Sequence, residues 1–177
     1  MKSKNYQELV KPFLVLVIIC IVTAALLAYT NSLTAPIIEQ NAIAAAEATR
    51  AEMLPEATGF EQILPDDPSL DVDSIYKDVG GSGYVITASA KGYGGDVVVT
   101  IGFDMDGNIQ HMSVDASTET QGVGSKTAKQ ENIDKYIGRS GSVKDDAGLL
   151  ITSATFSSKA VRTAVQNAMD AFAAVKE

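Results

Sequence analysis

Cysteine, histidine and tryptophan are nearly missing from this chain of 177 residues, which has one cysteine, one histidine and no tryptophan. The cysteine, Cys20, lies inside an apolar run, so a disulfide, a thiolate metal site and a paired-cysteine haem attachment are excluded. His111 stands alone and cannot form a metal site by itself. We therefore predict no metal site and expect His111 to be an exposed strand residue.

Positive charge is also scarce, with 14 Lys and Arg against 22 Asp and Glu and a net charge of −8. The first thirty residues hold Lys2, Lys4, Lys11 and Glu8, so the rest of the chain carries −10. An acidic domain of this kind disfavours nucleic acid and anionic lipid surfaces as partners.

One long apolar run is present. Residues 13–29 (FLVLVIICIVTAALLAY) contain no charge over 17 residues and would span about 26 Å as a helix, close to the thickness of a bilayer core. A cleaved signal peptide is the competing interpretation, but the run is long for one and no clear A-x-A site follows. We favour a retained transmembrane anchor in the lipid bilayer.

The charges that flank this run predict its orientation. Lys2, Lys4 and Lys11 precede it, and no Lys or Arg follows until Arg50. The positive-inside rule then predicts a single-pass protein of the cell membrane, with a cytoplasmic N-terminus and an extracytoplasmic remainder. Residues 1–31 form the predicted N-terminal tail and anchor.

A second helix is predicted over 35–53, a segment rich in Ala and Glu. Thr34 is a suitable N-cap, Pro36 suits a first helical turn, and the helix should end before Pro55. We interpret 32–55 as a linker helix and 56–177 as one extracytoplasmic domain.

Three strands are predicted in the first half of that domain. Residues 84–90, 96–103 and 108–114 are rich in β-formers, and Asp106-Gly107 predicts a hairpin turn between the last two. The preceding residues 56–83 are expected to be loop with short elements such as 74–77. The pattern is typical of an antiparallel meander.

Helices dominate the second half. A helix is predicted over 126–137, a short strand over 149–152 and a last helix over about 158–175. The last helix has one apolar face that should pack on the sheet: Val161, Ala164, Val165, Ala168, Met169, Phe172 and Val175. The predicted fold class is therefore α+β, with one transmembrane helix followed by a small domain that has an antiparallel sheet and flanking helices.

Three loops of this domain have compositions that suit ligand binding. Two contain glycines, at 91–95 and 119–124, and the third is a cluster of hydroxylated residues at 152–158. Gly94-Gly95 is equally compatible with a simple hairpin connection.

The hydroxyl cluster precedes a helix, and its central residue is Thr155. Unpaired N–H groups and the helix dipole favour an anion at such a position, so we predict a phosphate there. Ser157 or Ser158 could serve as N-cap, which would explain one hydroxyl of the cluster. Because no histidine is available beside Thr155, we interpret it as an attachment point and not as a hydrolytic nucleophile.

Four motifs in this order closely resemble the covalent FMN-binding domain family: 92–95 (GYGG), 106–109 (DGNI), 119–124 (ETQGVG) and 153–161 (SATFSSKAV). With the N-terminal span and Met53-Leu54-Pro55, nearly the whole chain resembles the RnfG family of Rnf-type electron-transport complexes. The sequence departs from the family pattern at Ser153, where glycine is usual, and at Gln121, where proline is frequent.

The resemblance implies a covalent FMN cofactor whose phosphate is esterified to Thr155 by a separate flavin transferase. Glu119, Thr120 and the amides of Gly122 and Gly124 are implied at the polar edge of the flavin ring, and Lys159 and Arg162 are candidate counter-charges for the phosphate. The complete predicted set of cofactor-binding residues is Tyr93, Gly94, Glu119, Thr120, Gly122, Gly124, Ser153, Ala154, Ser157, Ser158 and Lys159.

The function implied is that of a flavoprotein component which relays electrons in an Rnf-type ferredoxin:NAD oxidoreductase complex coupled to Na⁺ or H⁺ transport. The expected partners are the other integral and peripheral subunits. We predict no independent catalytic site, and no G-x-G-x-x-G opens a helix after a strand. The alternatives are a stand-alone flavinylated electron shuttle for extracellular electron transfer or a membrane reductase, and an anchored module that binds a small ligand.

Overall fold

The computed structural model describes residues 2–64 and 70–176. The chain divides into two compact units between Ala46 and Glu47. The first unit is helical, and the second contains the sheet and the remaining helices.

The N-terminal helix α1 runs without interruption over Lys2–Met53 and includes both Pro12 and Pro36. It is long and apolar enough to cross a membrane, and its apolar side chains over 13–29 are exposed. The expectation that Thr34 caps a separate linker helix is wrong. Its hydroxyl instead donates to the carbonyl of Thr30 at 2.9 Å, one turn back within the same helix.

Within the described residues, five strands form one antiparallel sheet in the order β1-β2-β3-β4-β5. They are β1 (Phe60–Ile63), β2 (Ser74–Asp78), β3 (Gly83–Lys91), β4 (Asp96–Asp104) and β5 (Ile109–Asp115). The predicted meander and the α+β class are confirmed. β1 lies in the segment expected to be loop; it is a four-residue edge strand whose polar centre hides the strand pattern.

Alternation along the strands decides which side chains enter the core. Ile86 and Ala88 of β3 lie opposite Ile101 and Val99 of β4, and all four are fully buried. Between β4 and β5 the chain turns at Gly107, whose φ of +87° suits glycine, as the Asp106-Gly107 pair predicts. This face of the sheet forms one side of the main core.

The long C-terminal helix α3 (Thr155–Lys176) covers that face. Except for half-buried Val175, its predicted apolar face is buried, and Phe172 packs against Tyr84 and Phe103 with ring centroids 5.4 and 5.2 Å apart. The helix begins at Thr155, three residues before the predicted start at Ser158.

Two other elements differ from prediction. The helix expected over 126–137 is divided into a 3₁₀ turn (Gly124–Ala128) and a short α2 (Gln130–Ile133), because Lys129 between them is extended. The strand expected over 149–152 does not join the sheet. A 3₁₀ turn (Ala147–Leu149) occupies its start, and the Asp146 carboxylate fixes this turn by accepting from the Gly148 N–H at 2.8 Å.

The opposite face of the sheet is covered by the residues around the end of α1. Met53 and Leu54 form a small apolar cluster with Val85 of β3. A Cβ at Gly102 of β4 would lie 2.1 Å from the carbonyl oxygen of Met53, so the chain can pass there only over a glycine. The sheet is thus covered on both faces within the second unit.

A buried carboxylate, Asp78 at the end of β2, joins two turns of this unit. One of its oxygens accepts from the N–H groups of Thr58 (2.9 Å) and Gly59 (3.3 Å), and the other accepts from the N–H and hydroxyl of Ser82 (2.9 and 2.7 Å). Burial alone would raise the pKa of Asp78, but these hydrogen bonds outweigh it and lower the pKa far below its usual range. Nothing in the sequence pattern of residues 56–83 predicts this structural role of Asp78.

Candidate functional site

The three loops singled out in the sequence come together around one open cleft of about 330 Å³. It lies between the loop that follows β3, the segment that follows β5, and the start of α3. Eight of the predicted residues line it: Tyr93, Glu119, Thr120, Gly124, Ser153, Ala154, Thr155 and Ser157. Val123 and Phe156 line it as well, whereas Gly94, Gly122, Ser158 and Lys159 do not.

Thr155 is the first residue of α3, and its side chain is exposed at the cleft. The carbonyl of Ala154 accepts the first helical hydrogen bond, from the N–H of Ser158 at 2.9 Å, so Ala154 is the N-cap residue. Alanine has no side-chain acceptor to offer to the first amides of the helix. The helix start is therefore suited to an external anion, which the helix dipole also favours.

The serines of the cluster have internal partners. The hydroxyl of Ser158 donates to the carbonyl of Ala154 at 2.8 Å and accepts from the N–H of Ile151 at 3.1 Å. Ser157 is buried and donates to Glu119. The expectation that one of these serines is the N-cap is wrong, because both lie inside the first turn, where they tie α3 to the preceding segments.

Ser153, which lines the cleft, is hydrogen-bonded to a lysine. The ammonium of Lys126 donates to the Ser153 hydroxyl at 3.0 Å. Among the described residues only glycines have a positive φ, so Ser153, at the position where the resembled pattern usually has glycine, introduces no backbone strain. Lys126 was missed in the sequence because the spacing of a 3₁₀ turn gives no sign of where its side chain points.

The two predicted counter-charges lie elsewhere. Lys159 is exposed on α3 and does not line the cleft. Arg162 donates to the backbone carbonyl of Asp146 at 3.2 Å, near the ion pair of Arg139 and Asp146. Lys126 is thus better placed than either to meet a phosphate at Thr155.

Glu119 is a buried carboxylate at the floor of the cleft, with 7% of its surface exposed. Its Oε1 accepts from the N–H of Gly94 at 3.0 Å, and its Oε2 accepts from the Ser157 hydroxyl at 2.5 Å. Burial by itself would raise the pKa of Glu119, but the bonds from Ser157 and from the amides of residues 93–95 outweigh it and lower the pKa. The carboxylate is therefore ionised at neutral pH.

The structure explains why glycine occurs at particular positions of the two loops. A Cβ at Gly92 would lie 2.1 Å from Glu119 Oε1, and a Cβ at Gly124 would lie 2.3 Å from Oε2. Gly122 has a φ of +78°, and its N–H donates to the Ser125 hydroxyl at 2.8 Å. Gly92 and Gly124 thus let the two loops close around Glu119.

Two aromatic side chains form the rim of the cleft. Tyr93 and Phe156 are 76% and 70% exposed, and their ring centroids lie 6.4 Å apart with an interplanar angle of 53°. Exposed aromatic pairs of this kind often mark a binding surface. Phe156 was not predicted; the sequence signal was a large aromatic residue directly after Thr155 in an otherwise small, polar cluster.

His111 lies on β5 with an exposed side chain, as expected. It borders two other clefts at the opposite end of that strand from Glu119 and does not line the cleft at Thr155. Proton transfer by histidine at Thr155 is therefore not part of the local chemistry.

Comparison with known proteins finds a matching family model for two segments of the chain. Residues 92–170 match the model of the FMN-binding domain, and residues 1–53 match that of the RnfG N-terminal region. The G component of the Na(+)-translocating ferredoxin:NAD(+) oxidoreductase complex of Acetobacterium woodii is 29% identical, over 95% of this chain and 93% of that protein. The G component of the proton-translocating ferredoxin:NAD(+) oxidoreductase complex of Clostridium ljungdahlii is 25% identical, over 88% and 86% respectively.

Proposed function

Because the chain belongs to the FMN-binding domain family and begins with an RnfG N-terminal region, we propose that it is the RnfG flavoprotein of an Rnf-type complex. In this role it relays electrons through a covalently bound FMN, in a ferredoxin:NAD oxidoreductase coupled to Na⁺ or H⁺ transport. The observation that carries the proposal is the exposed Thr155, which opens α3 at the edge of a cleft with an aromatic rim.

The attachment proposed for FMN is a phosphoester on Thr155. The Oγ1 of Thr155 would form a bond to the FMN phosphorus of a flavin dinucleotide, the phosphoanhydride bond would break, a nucleoside monophosphate would leave, and the hydroxyl proton would pass to a base. A flavin transferase supplies the base for this step, because the cleft has no histidine among its described lining residues. The amides at the start of α3 and the ammonium of Lys126 would then hold the phosphate.

The ring of the cofactor would lie against the aromatic rim. Tyr93 and Phe156 present apolar surface at the mouth, and Val123 adds to it. When bound, FMN supplies the ability to take up and release electrons, while the protein contributes binding, orientation and charge. Glu119 provides that charge at the floor of the cleft.

The proposed membrane arrangement follows the lysines before the apolar run. Residues 1–31 would form the cytoplasmic tail and anchor, 32–55 a linker that continues the same helix, and 56–177 the extracytoplasmic FMN-binding domain. Protease added to sealed inside-out membrane vesicles should then leave the domain intact. Digestion of the domain under these conditions would show that the chain has the opposite orientation.

Covalent attachment is tested by expressing the full chain together with a flavin transferase. We expect in-gel flavin fluorescence after denaturation and the mass of one FMN on the peptide that contains Thr155. Thr155→Ala should lose both signals. Thr163→Ala, which alters another exposed hydroxyl of α3 away from the cleft lining, is the matched control and should keep them.

Assembly with the other components of the complex needs a separate test. Mild detergent extraction of native membranes should co-purify this chain with several integral and peripheral partners. If the flavinylated chain is instead isolated alone, it is a stand-alone electron shuttle or reductase, and the complex is the wrong assignment.

A further inference from the structure

We propose that Glu119 is a positioning residue, which joins the loop carrying Tyr93 to the first turn of α3 and so assembles the cleft before the cofactor arrives. This inference rests on the proposed function, since it concerns the site that would receive FMN. It assigns Glu119 a role different from the ring contact that the family resemblance implies.

The hydrogen bonds of Glu119 connect segments that are distant in sequence. Gly94 lies 25 residues before Glu119, and Ser157 lies 38 residues after it. Each of the two carboxylate oxygens accepts from one of these segments. A single side chain thus holds three parts of the cleft at fixed distances.

The space around the carboxylate is closed as well. Gly92 and Gly124 approach its two oxygens so closely that a Cβ at either position would overlap an oxygen. The carboxylate is thus enclosed by the backbone of both loops, and only glycine at these two positions leaves room for it. This tight packing is what we expect of a residue that sets geometry.

The connection reaches both parts of the proposed site. Ser157 follows Thr155 by two residues in the same helical turn, and Gly94 directly follows Tyr93. Displacement of Glu119 would therefore move Thr155 and Tyr93 relative to each other. A preformed arrangement spares the incoming ligand the entropy of ordering these loops.

Three substitutions separate the positioning role of Glu119 from the effect of its negative charge. Glu119→Ala removes both. Glu119→Gln can keep the bond from Gly94 to its amide oxygen while its amide nitrogen donates to Ser157, whose hydroxyl can also accept. Ser157→Ala keeps the charge but removes the connection to α3.

The experiment measures the rate of FMN transfer to the full chain in membranes, over a range of chain concentrations and with one flavin transferase. We expect Glu119→Ala to lower the rate at low chain concentration by at least about tenfold, since losing even one of its two hydrogen bonds to a charged group has an effect of that size. Ser157→Ala should also lower it, and Glu119→Gln should restore it. Asp78→Asn, at a buried carboxylate outside the cleft, is the matched control and should flavinylate at the wild-type rate.

The reduction potential of the attached flavin gives a second readout that general loss of stability does not move. Removing an ionised carboxylate favours electron uptake, so the potential of Glu119→Gln should become more positive, while Ser157→Ala and Asp78→Asn stay near the wild type.

The inference is overturned if Glu119→Ala is flavinylated at the wild-type rate, if Glu119→Gln fails to restore the rate, or if Asp78→Asn is slowed as much. A wild-type chain that receives no FMN under these conditions would instead contradict the proposed function. The two failures are therefore distinguishable.

Discussion

Two buried carboxylates hold turns together in this domain, and only one of them lines the cleft. Asp78 and Glu119 both accept hydrogen bonds from backbone amides and from one serine hydroxyl, and both have a lowered pKa. Asp78 ties the chain before β1 to the turn after β2, away from the cleft, whereas Glu119 ties together the walls of the cleft. The same local chemistry thus supports the fold in one region and shapes a binding site in the other.

Replacing the carboxylate by an amide should change the stability of the domain very differently at these two residues. Both oxygens of Asp78 face backbone N–H donors, so in Asp78→Asn the new NH₂ group must meet one of them. We expect the free energy of unfolding to fall by about 2–4 kcal/mol, because a buried donor loses its acceptor. Glu119→Gln should lose less than about 1.5 kcal/mol, since Ser157 can reverse its hydrogen bond. Denaturant unfolding of the cofactor-free chain measures both, and equal losses would remove the distinction.

The glycines next to each carboxylate extend the comparison. A Cβ at Gly124 would overlap the carboxylate, the Cβ of Glu119 and the Ser157 hydroxyl, all in a closed space. We expect Gly124→Ala to cost about 1–3 kcal/mol. At Gly80 the shortest contact, at 2.7 Å, is to the hydroxyl of exposed Thr58, which can move aside more readily, and the contact to Asp78 is longer at 3.0 Å.

Gly80→Ala is therefore the control and should cost clearly less than Gly124→Ala in the same denaturant titration. A larger cost at Gly80 would mean that the region around Asp78 is the more rigid of the two.

Acid should destabilise the domain through both residues. A carboxyl whose folded-state pKa lies below its unfolded value adds stability above the unfolded pKa, and this stability is lost as the pH falls from about 4 toward the folded pKa. Between its unfolded and folded pKa values, each such carboxyl is ionised only in the folded state. There it steepens the fall in the free energy of unfolding by up to about 1.4 kcal/mol per pH unit. In Asp78→Asn this loss should be less steep between about pH 4 and pH 2 than in the wild type, as followed by unfolding at a series of pH values.

The smallest effect is expected at Ser153. Because no positive φ is required there, Ser153→Gly relieves no strain and should cost up to about 1 kcal/mol through the added freedom of the unfolded chain. Flavinylation should persist, since Lys126 keeps its charge. Stabilisation by this substitution would show that the serine is strained after all.

The parts of the fold with a clear pattern could be predicted from sequence. The strands β3, β4 and β5 alternate, and α3 has an apolar face with helical period, so their positions agree within a few residues. β1 is too short and polar to give such a pattern. The segment before α3 resembles a strand because Leu149, Leu150 and Ile151 are apolar, but the adjacent 3₁₀ turn keeps it out of the sheet.

The site was predictable at the level of its loops and less so at the level of single side chains. The motifs identify the three loops that meet at the cleft. Thr155 lies at a helix start, as the hydroxyl cluster predicts. The inward direction of Ser157 and Ser158 depends on how the loops pack around Glu119, and the reach of Lys126 depends on the path of a 3₁₀ turn. Neither is encoded in residue spacing alone.

The alanine that precedes α3 has a consequence for maturation of the protein. Without a side-chain acceptor at Ala154, the opening turn of the helix is less stable in the newly made chain by about 1 kcal/mol than it would be with serine or aspartate there. A phosphoryl group esterified at the next residue would offer oxygens to those same amides. Slower hydrogen exchange at the start of α3 would then distinguish a finished flavoprotein from an immature one.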